Sequence, residues 1–263
     1  SGKSTTMRLM LGLDRGDGRT TFDGRVFSEL EHPMRHIGTL LEAKPFHPTR
    51  KARNHLRMLA AANRIPTSRV DEVIELVGLT SVSDGKPRKF SLGMGQRLGI
   101  AAALLGDPDT LIHDEPSNGL DPQGITWLRT LLKHLAGEGR SVFVSSHLLQ
   151  EMAMLADELV VIGRGRLVAN GKVADFVAAS GLGTVEVTSP DLSDLVPVLE
   201  ERGASVIGTG ETVAVTGLDA ASVGDVAHEV GARLHQLVTR QASLEEAFLS
   251  ATGDDEEFRG GDR

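Results

Sequence analysis

The chain has 263 residues, enough for one large domain and a small one with a substantial buried core. Hydrophobic residues make up 40% and charged residues 24%, a balance typical of globular proteins, and no stretch reaches the roughly 18–20 apolar residues that a membrane span requires. The net charge of -8 argues against a nucleic-acid partner, and the count of 0 cysteines excludes disulfides and thiolate metal sites.

Before residue 110 the pattern predicts mainly helices. A short apolar run over residues 37–41 ends at Glu42 and predicts a strand, and residues 20–22 predict another strand after the glycines at 16 and 18. Helices are predicted over residues 4–11, 52–62, 68–77 and 93–105.

From residue 110 onwards, predicted strands alternate with predicted helices. One strand contains Leu111 and Ile112 and ends at Asp114, and the next, over residues 142–144, ends at Ser145. Helices are predicted over residues 125–135 and 148–155, and a hairpin over residues 160–162 and 167–169. This alternation favours an α/β fold with a parallel sheet covered on both faces.

After Gly181 the predicted order becomes βαββαβ, which favours a small ferredoxin-like α+β appendage. Its predicted strands are residues 185–188, 205–207, 213–216 and 234–238, and its helices are residues 192–202 and 220–230. Residues 243–250 predict a final helix with Ser243 as its cap and Glu246 three residues later. Residues 251–263 form an acidic tail, which we expect to be exposed to solvent.

The first chemical motif lies at the beginning of the chain. Gly2, Lys3, Ser4 and Thr5 precede a predicted helix, as in the second half of a phosphate-binding loop. Such a loop needs close backbone approach at a glycine, amide donors at a helix N-terminus, a lysine charge and a hydroxyl for Mg²⁺. The alternative is an ordinary capped helix with a chance lysine.

A pair of carboxylates forms the second motif. Asp114 and Glu115 end a buried strand, where an aspartate could hold magnesium and a glutamate could orient or deprotonate water. Taken alone, such a pair is more often a solvated turn. His113, beside them, is either a packing substitution for an aliphatic residue or a functional group.

Three further motifs are weak when each is taken alone. Ser91, Leu92 and Gly93 precede a helix and favour an anion there, although an ordinary N-cap explains them as well. Asp121 follows the carboxylates in a segment that also fits a turn. His147 comes directly after a strand, where a histidine is usually an ordinary loop residue.

Taken together, the order and spacing of Lys3, Ser91, Asp114, Asp121 and His147 resemble the pattern of ABC ATPases. The resemblance implies a P-loop NTPase sheet with a helical subdomain, ATP and Mg²⁺ as cofactors, and ATPase activity. It spans residues 1–180, with the helical subdomain at about residues 45–105 and a separate accessory domain at residues 183–250.

The resemblance also implies a role for each motif residue. Ser1 to Thr5 correspond to the end of Walker A, with Lys3 on the outer phosphates and Ser4 on Mg²⁺. Asp114 corresponds to the magnesium-binding aspartate, Glu115 to the catalytic glutamate and His147 to the histidine that contacts the γ-phosphate.

The same resemblance places two motifs at a dimer interface. Ser91, Leu92 and Gly93 fall on the signature motif, which reaches the nucleotide of a second nucleotide-binding subunit, and Asp121 falls on the D-loop between the two sites.

Three positions depart from the family pattern. Leu92 replaces the first signature glycine and Met94 replaces the usual glutamine. Glu42 stands where the Q-loop glutamine is expected, and its carboxylate can still contact Mg²⁺ or its water while adding negative charge beside the nucleotide. The expected consequence is slower turnover with nucleotide binding retained.

Four further segments resemble bacterial exporter ATPases of the branch that handles bacitracin and anthracyclines. These segments are residues 37–42, 52–56, 145–149 and 243–249. This resemblance implies a separate integral membrane permease as partner, export of a drug, antibiotic, peptide or lipid-like compound, and a peripheral location at the cytoplasmic face of the cell membrane. The alternatives are a non-transport ABC ATPase and a weakly hydrolytic regulatory subunit.

The chain begins inside the phosphate-binding motif, with Ser1 rather than Met. The strand that normally enters this loop is central in a doubly wound sheet, so its absence would expose an edge. We therefore expect the 263-residue chain to bind ATP more weakly than an N-terminally completed protein.

Overall fold

The computed structural model describes residues 2–42, 46–179 and 183–240, together with Leu244. These residues form two compact units, Ser1–Leu148 and Leu149–Arg263. Three predictions lie outside the described residues: Ser1, the acidic tail at 251–263, and all of the final helix except Leu244, which is buried. Within the described ranges, no helix is long and apolar enough to cross a membrane.

The first unit contains a three-stranded parallel sheet in the order β1-β2-β3. Its strands are β1 (Ile37–Leu40), β2 (Thr110–Asp114) and β3 (Ser141–Ser145). The central strand is buried because neighbours cover both faces. The parallel register aligns the carboxyl ends of β2 and β3, with Asp114 opposite Ser145.

Helix α1 (Lys3–Met10) packs on one face of this sheet. Its Met7, together with Leu11, joins Leu30, Ile37 and Ile112 in one buried cluster. Met7 and Leu11 are four residues apart and therefore lie on the same side of the helix. This packing holds the N-terminus of α1 beside β2.

Four longer helices complete the first unit: α2 (Ala52–Ala62), α3 (Ser68–Leu76), α4 (Leu92–Leu104) and α5 (Pro122–Gly137). Helix α4 packs closely on β1, because a Cβ added at Gly38 would be 2.2 Å from the Ala103 carbonyl oxygen. Glycine at position 38 therefore permits a backbone approach that no other residue allows.

The predicted strand at residues 20–22 is wrong. Phe22 forms only an isolated bridge with Arg25, and their backbones close a tight turn through Asp23 and Gly24, which both have positive φ. Phe22 packs against the α1 cluster instead of pairing with a neighbouring strand. Positive φ at two successive residues suits a two-residue turn rather than an extended strand.

The second unit begins with α6 (Leu149–Leu155) and the antiparallel hairpin of β4 (Glu158–Gly163) and β5 (Arg166–Lys172). The hairpin was predicted from its two apolar runs. The following helix α7 (Val173–Ala179) was not predicted from the sequence.

The second unit continues as an antiparallel four-stranded sheet in the order β7-β8-β6-β9. Its elements are β6 (Thr184–Thr188), α8 (Leu192–Glu201), β7 (Ser205–Thr209), β8 (Thr212–Thr216), α9 (Ala220–Val230) and β9 (Gln236–Arg240). Valines from β6 and β8 meet leucines of α8 and valines of α9 in one core. The βαββαβ order and this sheet confirm the predicted ferredoxin-like α+β fold.

Candidate functional site

The Glu115 carboxylate connects two residues that are far from it in sequence. Its Oε1 atom lies 3.5 Å from Lys3 Nζ, and its Oε2 atom lies 2.7 Å from His147 Nδ1. The three residues belong to the first turn of α1, the segment after β2 and the segment after β3. The fold therefore brings two other predicted site residues, Lys3 and His147, to the Glu115 carboxylate.

Strand register and helix packing explain why these residues meet. Because β2 and β3 are parallel, the residues after Asp114 and after Ser145 emerge at the same edge of the sheet. The buried contact of Met7 with Ile112 brings the N-terminus of α1 to that edge. Lys3 thus approaches from the helix, and Glu115 and His147 from the two strands.

Glu115 has an unusual backbone conformation. Its φ is 49°, in the left-handed region that costs a residue with a side chain roughly 1–2 kcal/mol. The Glu115 amide is held by the Ser145 carbonyl oxygen at 3.2 Å and by Ser145 Oγ at 3.0 Å. Such strain concentrates at functional sites, where surrounding contacts maintain it.

Asp114 shares the same neighbour. The Ser145 hydroxyl donates a hydrogen bond to Asp114 Oδ1, and Ser145 itself is buried. The sequence pattern identified Ser145 only as the end of a predicted strand. Its contacts with both carboxylate residues follow from the register of β2 and β3.

The phosphate-loop residues form the N-terminus of α1. Gly2 precedes the helix with a φ of 103°, and its carbonyl accepts hydrogen bonds from the Thr6 amide at 2.9 Å and the Thr6 hydroxyl at 3.0 Å. Ser4 and Thr5 are exposed in the first turn. A helix N-terminus beside a lysine suits an anion such as phosphate.

Glu42 is exposed just after β1. The Arg8 guanidinium has a raised pKa because of its hydrogen bond and charge interaction with Asp14, and Glu42 adds a smaller effect in the same direction. Glu42 therefore contributes negative charge beside α1.

The donor set fits magnesium held partly by a nucleotide. Among the described residues, no group of three or more His, Asp and Glu side chains could hold a metal alone. Mg²⁺ usually binds one or two protein oxygens together with water and phosphate oxygens. Asp114 and the Ser4 hydroxyl are oxygen ligands of that kind.

The signature residues lie elsewhere in the first unit. The Ser91 hydroxyl caps α4 by accepting a hydrogen bond from the Met94 amide at 3.1 Å. Leu92 lies over Gly119, where an added Cβ would be 2.2 Å from Leu92 Cγ, and a Cβ at Gly93 would be 3.0 Å from the Gly119 carbonyl. The signature segment thus packs on the segment that leads to Asp121.

Asp121 caps the next helix. Its Oδ1 atom accepts a hydrogen bond from the Gly124 amide at 2.8 Å at the start of α5. In the part of the chain that the structure describes, hydrogen bonds and ion pairs join neither Ser91 nor Asp121 to Lys3, Glu115 or His147.

Sequence reasoning also missed Gln96, which is buried in α4. Its Nε2 atom donates to the Pro116 carbonyl at 2.9 Å and so links α4 to the residue after Glu115. The sequence signal that could have identified Gln96 is its polar side chain among the mostly apolar residues of α4.

His113 is a neutral interior side chain. It is completely buried, and its ring nitrogens have no hydrogen-bond partner among the described residues. Burial lowers the pKa of His113 to about 4. These findings favour the packing alternative for His113 over a functional role.

Comparisons with known proteins identify similar sequences and a similar fold. The family model described as ABC transporter matches residues 1–118, and one described as a domain of unknown function matches residues 183–245. The chain is 34% identical, over 98% of its length, to YhcH, an uncharacterized ABC transporter ATP-binding protein of Bacillus subtilis, and covers 85% of it. It is 42% identical over 171 residues to the bacitracin transport ATP-binding protein BcrA of Bacillus licheniformis, covering 64% of this chain and 56% of that protein.

A solved ATP-binding subunit of an ABC transporter shares the fold. Its TM-score is 0.63 at 28% sequence identity, over 69% of this chain and 78% of that chain.

Proposed function

The chain belongs to the family of ABC transporter ATP-binding proteins, and on that premise we propose that the residues gathered around Glu115 form the site at which it binds and hydrolyses ATP. The observation that carries this assignment is that Lys3 and His147 both contact the Glu115 carboxylate. A lysine that binds the phosphates and a side chain that orients the attacking water are recurring parts of phosphoryl-transfer sites.

Binding of the triphosphate falls to α1 and its flanking loop. Lys3 supplies positive charge to the outer phosphates, and the amides at the start of α1 donate to phosphate oxygens. Mg²⁺, when bound, neutralises charge on the β- and γ-phosphate oxygens. The Ser4 hydroxyl and the Asp114 carboxylate would hold it, with Glu42 near its water.

Glu115 and His147 act on the water and the γ-phosphate. An ionised carboxylate only accepts hydrogen bonds, so His147 Nδ1 carries the proton that it shares with Glu115 Oε2. This leaves Nε2 directed away from Glu115 and available to the nucleotide. Glu115 orients the attacking water and accepts its proton.

The signature residues are assigned to a second subunit's nucleotide. In the proposed dimer, Ser91 and the Gly93 backbone reach the partner's ATP, and Asp121 lies between the two sites. Ser91 retains the hydroxyl that this contact needs, although Leu92 replaces a glycine beside it. Closure of the dimer would drive a conformational change in a separate membrane permease. ATP hydrolysis would then allow the closed dimer to separate.

The proposed role in the cell is export of a drug, antibiotic, peptide or lipid-like compound, at the cytoplasmic face of the membrane. The likeness to the bacitracin transport protein supports it. We propose that residues 1–180 form the ATPase domain, with a helical subdomain at about residues 45–105. Residues 183–250 would then form the accessory domain and residues 251–263 a tail. The separate family match over residues 183–245 supports the accessory domain.

Steady-state phosphate release by the purified protein, with and without Mg²⁺, tests the ATPase assignment. Hydrolysis that depends on Mg²⁺ is expected, and a rate equal to spontaneous ATP hydrolysis would contradict it. Purification of the tagged protein from its native membrane tests the partner, because an integral membrane permease is expected to copurify.

A regulatory subunit with weak hydrolysis is the second candidate. Leu92, Met94 and Glu42 favour it, since all three depart from the family pattern beside the nucleotide. Tight nucleotide binding without measurable turnover would distinguish this candidate from the ATPase.

A further inference from the structure

Ser145 lies between the two carboxylate residues at the end of β2. Its hydroxyl donates to Asp114 Oδ1 and accepts a hydrogen bond from the Glu115 amide at 3.0 Å. Ser145 is only 6% exposed. One hydroxyl therefore satisfies a side-chain acceptor of Asp114 and a backbone donor of Glu115.

The bond to Asp114 limits the orientation of that carboxylate. A serine hydroxyl has a single proton to donate, and here the proton is committed to Oδ1. Oδ1 is thus engaged within the protein, while Oδ2 is not held by Ser145. The carboxylate cannot turn about its terminal torsion without breaking this bond.

The bond to Glu115 supports its left-handed backbone. Both the hydroxyl and the carbonyl oxygen of Ser145 accept from the Glu115 amide, at a residue whose φ is 49°. This conformation is the one in which the Glu115 side chain contacts Lys3 and His147. Loss of the hydroxyl would leave the carbonyl as the remaining acceptor.

The next residue has a different contact. The Ser146 hydroxyl accepts a hydrogen bond from the Leu148 amide at 3.0 Å and so stabilises the turn after β3. Two adjacent serines thus contact different neighbours, and of these two hydroxyls only that of Ser145 bonds to Asp114 and Glu115 within the described residues.

We propose that Ser145 is a positioning residue that orients the Asp114 carboxylate for a divalent cation and holds Glu115 in its left-handed conformation. This inference rests on the proposed function, in which Asp114 binds the metal of the nucleotide. Groups that hydrogen-bond a metal-binding side chain commonly change metal affinity 10–100-fold when they are removed.

The test compares Ser145→Ala, Ser145→Thr and Ser145→Val with the unmodified protein. Thr keeps a hydroxyl, whereas Val has nearly the same shape without one, so this pair isolates the hydrogen bonds even if the Ala variant folds poorly. Ser141→Ala is the matched control, because Ser141 lies at the exposed start of the same strand and its hydroxyl makes no hydrogen bond within the described ranges.

Mn²⁺ serves as the probe ion, and its affinity is measured by electron paramagnetic resonance with a non-hydrolysable ATP analogue. Nucleotide affinity is measured separately in EDTA with a fluorescent ATP analogue. We expect Ser145→Ala and Ser145→Val to weaken Mn²⁺ binding about tenfold, while nucleotide affinity in EDTA stays unchanged. Ser145→Thr and Ser141→Ala are expected to bind Mn²⁺ within about twofold of the unmodified protein, against that tenfold loss.

Three results would overturn the inference: unchanged Mn²⁺ affinity in the Ala and Val variants, equal loss in Thr and Val, or a parallel loss of nucleotide affinity in EDTA. Failure of the proposed function gives a different result. In that case the unmodified protein itself binds no Mn²⁺ with the nucleotide analogue, and the inference falls with it.

Discussion

The Nδ1 atom of His147 lies 2.7 Å from the Oε2 atom of Glu115, although 32 positions separate the two residues. The other carboxylate oxygen of Glu115 lies 3.5 Å from Lys3 Nζ. The carboxylate thus bridges the two groups that are proposed to contact the terminal phosphate. A bound γ-phosphate, which is also an anion, would compete with Glu115 for Lys3, whereas His147 could contact it through Nε2.

Replacing Glu115 by Gln is expected to reduce ATP hydrolysis by about 10²–10⁴-fold, the usual contribution of a general base. Nucleotide affinity is expected to stay equal or increase, because the change removes a negative charge that competes with the phosphates for Lys3. Phosphate release and fluorescent-nucleotide titration measure the two effects. Glu75→Gln, at an exposed position of α3, is the matched control; undiminished hydrolysis by Glu115→Gln would refute the role of Glu115.

Lys3→Ala is expected to weaken nucleotide binding by about 10–100-fold, since a hydrogen bond to a charged group contributes about 1.5–3 kcal/mol. The expected loss is larger for ATP than for AMP, because Lys3 is assigned to the outer phosphates. Isothermal titration with the two nucleotides measures this difference. Lys133→Ala on the exposed side of α5 controls for the loss of one positive charge, and equal losses for ATP and AMP would contradict the assignment.

His113→Leu is expected to stabilise the first unit at pH 5. The folded pKa of about 4 lies below the ordinary value of 6.5, so the unfolded chain binds more protons between these values. The contribution of neutral His113 to the free energy of unfolding is therefore fully present above pH 6.5 and is lost as the pH falls towards 4. Between pH 7 and pH 5 the free energy of unfolding decreases by about 2 kcal/mol for this reason. The Leu variant lacks this dependence.

Urea unfolding at pH 7 and pH 5, followed by fluorescence of Trp127, measures the His113 effect. Trp127 is the single tryptophan of the chain and lies in α5 of the first unit. His134→Gln, at an exposed position of the same helix, is the control. The same pH dependence in His113→Leu and the unmodified protein would show that His113 does not cause it.

Gly119→Ala is expected to destabilise the first unit and to depend on the residue at position 92. Gly119 has a φ of 79°, which costs a residue with a side chain about 1–2 kcal/mol. An added Cβ would also lie 2.2 Å from Leu92 Cγ, and overpacking typically costs 1–3 kcal/mol more. In a Leu92→Gly background only the conformational cost is expected to remain.

A double-mutant cycle with urea unfolding measures this coupling. Gly137→Ala is the control, because no atom lies within 4 Å of a Cβ added there. Additive effects of the changes at positions 92 and 119 would show that the two residues do not interact.

Most of the fold could be predicted because its elements carry local signals. Alternating strand and helix patterns identified β2, β3 and α5, and the βαββαβ order identified the ferredoxin-like sheet. The prediction of a strand at residues 20–22 failed because Phe22 is a partly buried apolar residue in a turn, and an apolar residue alone does not separate a turn from a strand. Helix α7 was not predicted because its 7 residues are too few to show a clear helical periodicity of apolar residues.

For the candidate site, the sequence supplied the residues and the structure supplied their relationships. Lys3, Asp114, Glu115 and His147 were selected by motif and order, and the structure brings Lys3 and His147 to Glu115. The left-handed Glu115 and the contacts of Ser145 were not predictable. Both depend on which residues face each other across two strands that are distant in the chain.

The sequence by itself determined the family and the order of elements, because motif spacing and apolar periodicity are properties of consecutive residues. Only the tertiary structure decided that one buried hydroxyl, at Ser145, would serve both Asp114 and Glu115. The reason is that the register of β2 against β3 is set by packing of the whole sheet, and a shift by one residue would turn Ser145 to the opposite face.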